Sequence, residues 1–105
     1  MNTTVLYSQA GVATQILIFT GENYFIVDVG DGTLRDLLCR KIDFRKIKGI
    51  FLTHGHYDHI SGLYALLGHF RVIEIREAIN IYFPQGCKEA HQLILAFKNS
   101  YSDIS

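Results

Sequence analysis

Three of the chain's five histidines fall within six residues of one another, in the stretch FLTHGHYDHISGL at positions 51–63. His54 and His56 are two residues apart. In an extended segment alternate side chains project to the same side. Two neutral imidazoles held that way make a good pair of zinc ligands. Asp58 and His59 follow on a turn and can serve a second position close by. A carboxylate beside three imidazoles suits a borderline-soft divalent ion, with zinc first and iron or manganese as alternatives. A single histidine in a polar loop is more often a satisfied surface residue. Four donors spaced His-x-His-x-Asp-His directly after an apolar run read instead as a metal site. The other two histidines have no partner at ligand spacing. His69 falls at the end of an expected helix, and His91 lies on an expected solvated helix face beside Lys88, Glu89 and Gln92.

The segments around the motif would have to place these donors. TTVLYSQ and TQILIFTG read as strands joined by a turn at Ala10-Gly11, and Gly21-Glu22-Asn23 reads as a hairpin turn into YFIVDVG. The last of these is an apolar run rather than a strict alternation, which suits a strand buried on both faces. Thr33 is positioned to cap a short helix, LRDLLCRK, with Leu34, Leu37 and Leu38 at helical spacing. After a polar connection, IKGIFLT is the next strand, and the histidine motif sits at its C-terminal end. Open α/β sheets bind their ligands at that end. HISGLYALLGHF reads as a helix that starts inside the motif, with Ile60, Leu63, Leu66 and Leu67 on one face and Gly62 as its weak point. FRVIEIR and AINIYF read as two more strands, separated by Pro84-Gln85-Gly86 from an amphipathic helix, CKEAHQLILAFKNSY. Ala90, Leu93, Ile94 and Phe97 share the buried side of that helix. Strands followed by a helix, twice over, indicate an α/β fold.

At 105 residues the chain is expected to be one domain. A domain of this size buries roughly two-thirds of its unfolded surface, and 49% hydrophobic residues give it a globular composition. Ten cations balance ten acids, so no overall basic field recommends nucleic acid, although a local patch is compatible with the sum. Cys39 and Cys87 are far apart, and the expectation is reduced, buried thiols. No signal-peptide pattern is visible. No apolar run approaches the about 20 residues that a bilayer requires. A soluble cytoplasmic protein with no membrane partner is expected.

The motif resembles the signature of the metallo-β-lactamase-fold hydrolases. That resemblance implies that His54 and His56 bind a first metal and that Asp58 and His59 bind a second. It implies that Asp28, in IVDVG, ends a strand near the site and supports the ligands from behind. Within the superfamily, FLTHGHYDHISGL, VDVGDGT and INIYFPQG before a helix resemble ribonuclease Z and its relatives, over most of the 105 residues. The chemistry implied is metal-assisted hydrolysis. Two zinc ions roughly 3.5–4 Å apart activate a water for in-line attack on phosphorus, and Asp58 both binds metal and takes a proton. The implied substrate is a phosphodiester, with the 3′ trailer of a transfer RNA precursor as the sharpest case. The implied fold is half of an αββα sandwich, a mixed sheet with helices on one face. Residues 1–105 are then the N-terminal half, which lacks the remaining metal ligands and an apolar cover. That cover is either the rest of a longer polypeptide or a partner subunit, including a second copy. Two alternatives stand beside this reading. One is another hydrolase of the same fold, acting on a thioester or a lactam. The other is a non-catalytic fragment or interaction module.

Overall fold

The computed structural model describes residues 2–75 and 79–101. Five strands form one mixed sheet in chain order: β1 (Asn2–Gln9), β2 (Ala13–Phe19), β3 (Tyr24–Val29), β4 (Ile47–Phe51) and β5 (Asn80–Tyr82). The β1–β2 and β2–β3 pairs are antiparallel hairpins, whereas β3–β4 and β4–β5 are parallel. Parallel neighbours need a crossover. The first is α1 (Thr33–Cys39) with a 3-10 turn (Phe44–Lys46). The second is α2 (Tyr57–Ile60) followed by α3 (Leu63–Val72), and α4 (Lys88–Ser100) comes after β5.

One row of residues, Leu17, Ile26, Ile50 and Ile81, runs across β2 to β5 in register. It packs with Leu37, Leu63, Leu66, Phe70 and Ala90 from the helices. The helices therefore cover one face of the sheet, and the result is the expected α/β half-sandwich. The opposite row, Val5, Ile16, Val27, Phe51 and Tyr82, contributes nothing to that core. On this face Phe51 and Tyr82 stack with ring centroids 4.8 Å apart.

Several sequence expectations change in detail. FRVIEIR is not a strand: α3 runs through it to Val72. Its β-branched and aromatic residues suggest a strand, but Leu63, Leu66 and Phe70 recur at helical spacing and bury against the core, and tertiary packing outweighs local propensity. Glu74 then ends the helix in a left-handed conformation, φ 58°. Its N–H donates to Arg71 O and that of Ile75 to Phe70 O, the paired bonds of a Schellman cap. Arg76 and Ala78, at the ends of the two expected strands, lie outside the described residues. Thr33 is the first residue of α1 and not its cap; its buried hydroxyl donates to Gly30 O at 2.8 Å, and Gly32 precedes it. The helix stops short of Lys41, which is left-handed at φ 55°. Both cysteines are free, but Cys39 is exposed and Cys87 only half-buried, because Cys39 falls on the solvent side of α1.

The expected single helix over 59–70 starts earlier, at Tyr57, and breaks at Ser61-Gly62. Gly62 donates its N–H to Val29 O at 2.8 Å. A Cβ at Gly62 would fall on the carbonyl oxygen of Gly30, so the β3 end and the α3 start meet backbone to backbone. Gly62→Ala should therefore lower stability by about 1–3 kcal/mol, the usual cost of overpacking. Gly68, inside α3, has nothing within 4 Å of the position its Cβ would take. Gly68→Ala should raise stability by up to about 1 kcal/mol through helix propensity. Thermal unfolding of the two variants in parallel checks both signs.

Candidate metal centre

The centre is built from three loop regions at one end of the sheet: the turn between β1 and β2, the end of β3, and the segment leaving β4. A bulge makes the β3 end unusual. Gln15 pairs with Val29 and Ile16 with Val27, which leaves Asp28 as the extra residue. Asp28 is left-handed at φ 62° and 3% exposed. A non-glycine residue in that region is strained and is held there by its surroundings. Bulges re-aim side chains, and this one turns the Asp28 carboxylate toward the end of β4.

Three donors converge on that carboxylate at 2.8 Å. The Thr53 N–H reaches Oδ1; the Thr53 hydroxyl and His59 Nδ1 both reach Oδ2. Thr53 Oγ1 also lies 3.0 Å from His54 Nδ1. The hydroxyl has a single proton and gives it to the carboxylate, so the His54 Nδ1–H must donate to the hydroxyl. The network thereby assigns both His54 and His59 the tautomer that leaves Nε2 as an open lone pair. One buried carboxylate orients two imidazoles, one directly and one through Thr53.

His54, His56 and Asp58 each offer a ligand atom, and these atoms lie within 4.8 Å of one another. The His54 ring stands edge-on to His56, with centroids 4.8 Å apart, and 3.8 Å from that of His59. His56, expected on an extended segment, is extended (ψ 147°) and precedes α2. Asp58 and His59, expected on a turn, lie on the single turn of α2. His59 Nε2 lies 3.4 Å from Asp58 Oδ2. All four motif residues are therefore brought together, with Asp28 behind them. His69 is not: it packs edge-on against Phe44, 4.6 Å between centroids. His91 is exposed on α4.

Burial of Asp58 works to raise its pKa. The hydrogen bond from the Gly11 N–H, its own backbone, and the nearby His59 and His54 together outweigh that effect and hold it below the usual carboxylate value. Asp58 is consequently charged at neutral pH. Neutral imidazoles with open Nε2 atoms and a charged carboxylate are the donor set of a divalent borderline-soft cation, and the residues present fit such an ion.

Sequence reasoning missed three contributors. Thr53 is adjacent to the motif, yet nothing in its spacing signals a relay. Gly11 donates its N–H to Asp58 Oδ2 at 3.2 Å, and the Tyr57 hydroxyl donates to Gly11 O. Two hydrogen bonds thus fasten the β1–β2 turn to α2, across more than forty residues of chain. Gly55 allows the tight path expected of it: a Cβ there would come within 2.7 Å of Glu89 Oε1 and 3.0 Å of Cys87 Sγ, at the start of α4.

The family model described as the metallo-beta-lactamase superfamily matches residues 9–98. The chain belongs to this superfamily. Among curated relatives, ribonuclease Z of Pyrococcus horikoshii is 38% identical over 80 residues, covering 76% of this chain and 26% of that protein. Ribonuclease Z of Prochlorococcus marinus is 32% identical over 113 aligned positions, covering 100% of this chain and 36% of that protein. The short form of human tRNase Z superposes with a TM-score of 0.83 at 26% identity, covering 100% of this chain and 42% of that structure. This superfamily member thus spans about a quarter to a third of the length of the curated relatives it matches. No helix among the described residues is long and apolar enough to cross a membrane.

Asp28→Asn should weaken metal binding by about 10- to 100-fold, the range for loss of an outer carboxylate that orients ligand imidazoles. Competition with a chromophoric chelator measures this. An unchanged affinity would remove Asp28 from the site.

Proposed function

We propose that residues 1–105 are the N-terminal half of a ribonuclease Z-type metal-dependent phosphodiesterase, acting on the 3′ trailer of transfer RNA precursors in the cytoplasm. The observation that carries the reading is the Asp28 network. A buried, strained carboxylate that fixes two imidazoles with their Nε2 atoms open is costly as a purely structural device and useful as a support for ligands. The ribonuclease Z relatives supply the reaction class.

In this reading His54, His56, Asp58 and His59 hold two zinc ions, with manganese or iron as alternatives. The ions, when bound, polarise phosphoryl oxygens and lower the pKa of water. The chain's own residues do the positioning. Asp28 holds the proton on His59 Nδ1, and Thr53 holds the proton on His54 Nδ1, so neither ring can turn its open nitrogen away. The Gly11 N–H occupies one side of Asp58 Oδ2. In this reading Asp58 keeps both roles, metal ligand and proton acceptor.

The uncovered sheet face supports the half-fold reading. Val5 is 57%, Tyr82 50% and Phe51 39% exposed, in one row across the sheet. Contiguous apolar surface of this kind is normally covered. Its cover would be the remainder of a longer polypeptide or a partner subunit, including a second copy, and the same cover would supply the remaining metal ligands. A second reading is an interaction module that keeps the motif without completing the site.

Zinc-dependent hydrolysis of bis(p-nitrophenyl) phosphate separates the two. The catalytic reading expects turnover that disappears with a chelator and falls by at least about 100-fold in His54→Ala and Asp58→Ala. A folded, zinc-loaded chain with no turnover above a metal-free control supports the module. The uncovered face also predicts strong fluorescence enhancement of the dye ANS, or self-association in light scattering. A dye-silent monomer would count against the half-fold.

A further inference from the structure

The neutral overall charge hides a segregation. Of the ten cationic side chains, Arg35, Arg40, Lys41, Arg45, Lys46 and Lys48 fall within 35–48, against two acids, Asp36 and Asp43. The rest of the chain is correspondingly acidic. These residues run from the first turn of α1 through the 3-10 turn to the start of β4. Because β4 runs from here to the histidine motif, the part from Arg40 onward lies at the opposite end of the sheet. At about 3.3 Å per residue along the strand, Lys46 and the motif are on the order of 20 Å apart.

Half of these six cations are not used internally. Arg35 pairs with Asp36, and Arg45 donates to Ile73 O at 3.1 Å. Arg40, Lys41 and Lys46 are exposed and have no ion-pair partner among the described residues. The bland explanation is that cations complement the C-terminal end of a helix. It can serve Arg40 and Lys41, which follow α1. It serves Lys46 poorly, because Lys46 ends only a three-residue 3-10 turn, too short to build a sizeable dipole. Lys41 also occupies a left-handed position, φ 55°, that glycine would take with less strain. Its side chain is kept at a backbone cost.

We propose that this end of the sheet, centred on Arg40, Lys41 and Lys46, docks the phosphate backbone of RNA. The proposal rests on the phosphodiesterase reading for the choice of RNA among polyanions. Clustered cations without internal partners release counterions when they meet phosphates, which gives affinity without sequence selectivity. A substrate extended over the separation above would be held at one end while its scissile bond reaches the other.

The test is the salt dependence of binding of a fluorescein-labelled transfer RNA transcript carrying a 3′ extension, by anisotropy on the 105-residue chain. Neutralising all three cations (Arg40→Gln, Lys41→Gln, Lys46→Gln) should make the slope of log K against log salt shallower by about 2, at roughly 0.7–0.9 per lost contact. The control, Lys88→Gln with Lys98→Gln on α4, should leave the slope unchanged. The single variants Lys41→Gln and Lys46→Gln, each expected to remove somewhat under one unit, decide the matter if the triple variant does not fold. The proposal is overturned by an unchanged slope in the cluster variants, by an equal change in the control, or by no binding of the transcript to the unmodified chain. It is also overturned if the cluster variants lose binding only to phosphatidylserine vesicles. Zinc content is read on the same samples. A slope effect in a chain that retains no zinc upholds the docking surface and counts against the metal reading alone.

Discussion

The candidate centre depends on one buried carboxylate. Asp28 accepts from the Thr53 backbone, the Thr53 hydroxyl and His59. It lies at the end of one strand, and the groups it holds belong to the next strand's exit and to a helix. A charged group so far from water is tolerable only when its lone pairs are satisfied. Here the satisfaction also fixes the geometry. Each donor that lowers the cost of burial is a group whose position the centre requires. Stability and preorganisation are therefore not separate demands on this residue. The strain at its backbone is offset by the same three bonds.

Around that carboxylate the fold is arranged by close backbone approach. Gly30 sits where a Cβ would meet Asp58 O and Thr14 N at 2.6 and 2.7 Å, and Gly62 fits against Gly30. The buried Gln15 side chain, whose Oε1 would lie 2.7 Å from the same Cβ, fills the remaining space between β2, β3 and the two helical segments. The motif's position is thus set by contacts that have little freedom to relax. The helical layer behind, with Leu37, Leu63, Leu66 and Phe70 in one core, fixes the sheet end to which these contacts belong.

The sequence displayed the candidate ligands more clearly than their support. His54, His56, Asp58 and His59 are close in the chain, and local spacing is what pattern reading detects. The hairpins were marked by Gly11 and Gly21, and α4 by the period of Ala90, Leu93, Ile94 and Phe97. The bulge at Asp28 was invisible, because register between β2 and β3 is not written in either strand alone. The end of α3 was misread, because Val72, Ile73 and Ile75 favour a strand locally while Leu66 and Phe70 are buried at helical spacing. Tyr57 gave no signal of its own. Its partner is a glycine carbonyl 46 residues away.

That last link has a consequence for the order of assembly. Asp58 is fastened to Gly11 over 47 positions and His59 to Asp28 over 31. Closing such loops costs entropy before any bond repays it. Although the four donors are neighbours in sequence, their arrangement forms only after the N-terminal hairpins have docked against β4. A cation held by these residues would therefore meet a shaped cage late in folding and a loose string of side chains before it. Discrimination among metals by geometry becomes a property of the finished sheet, postponed until the chain can enforce it.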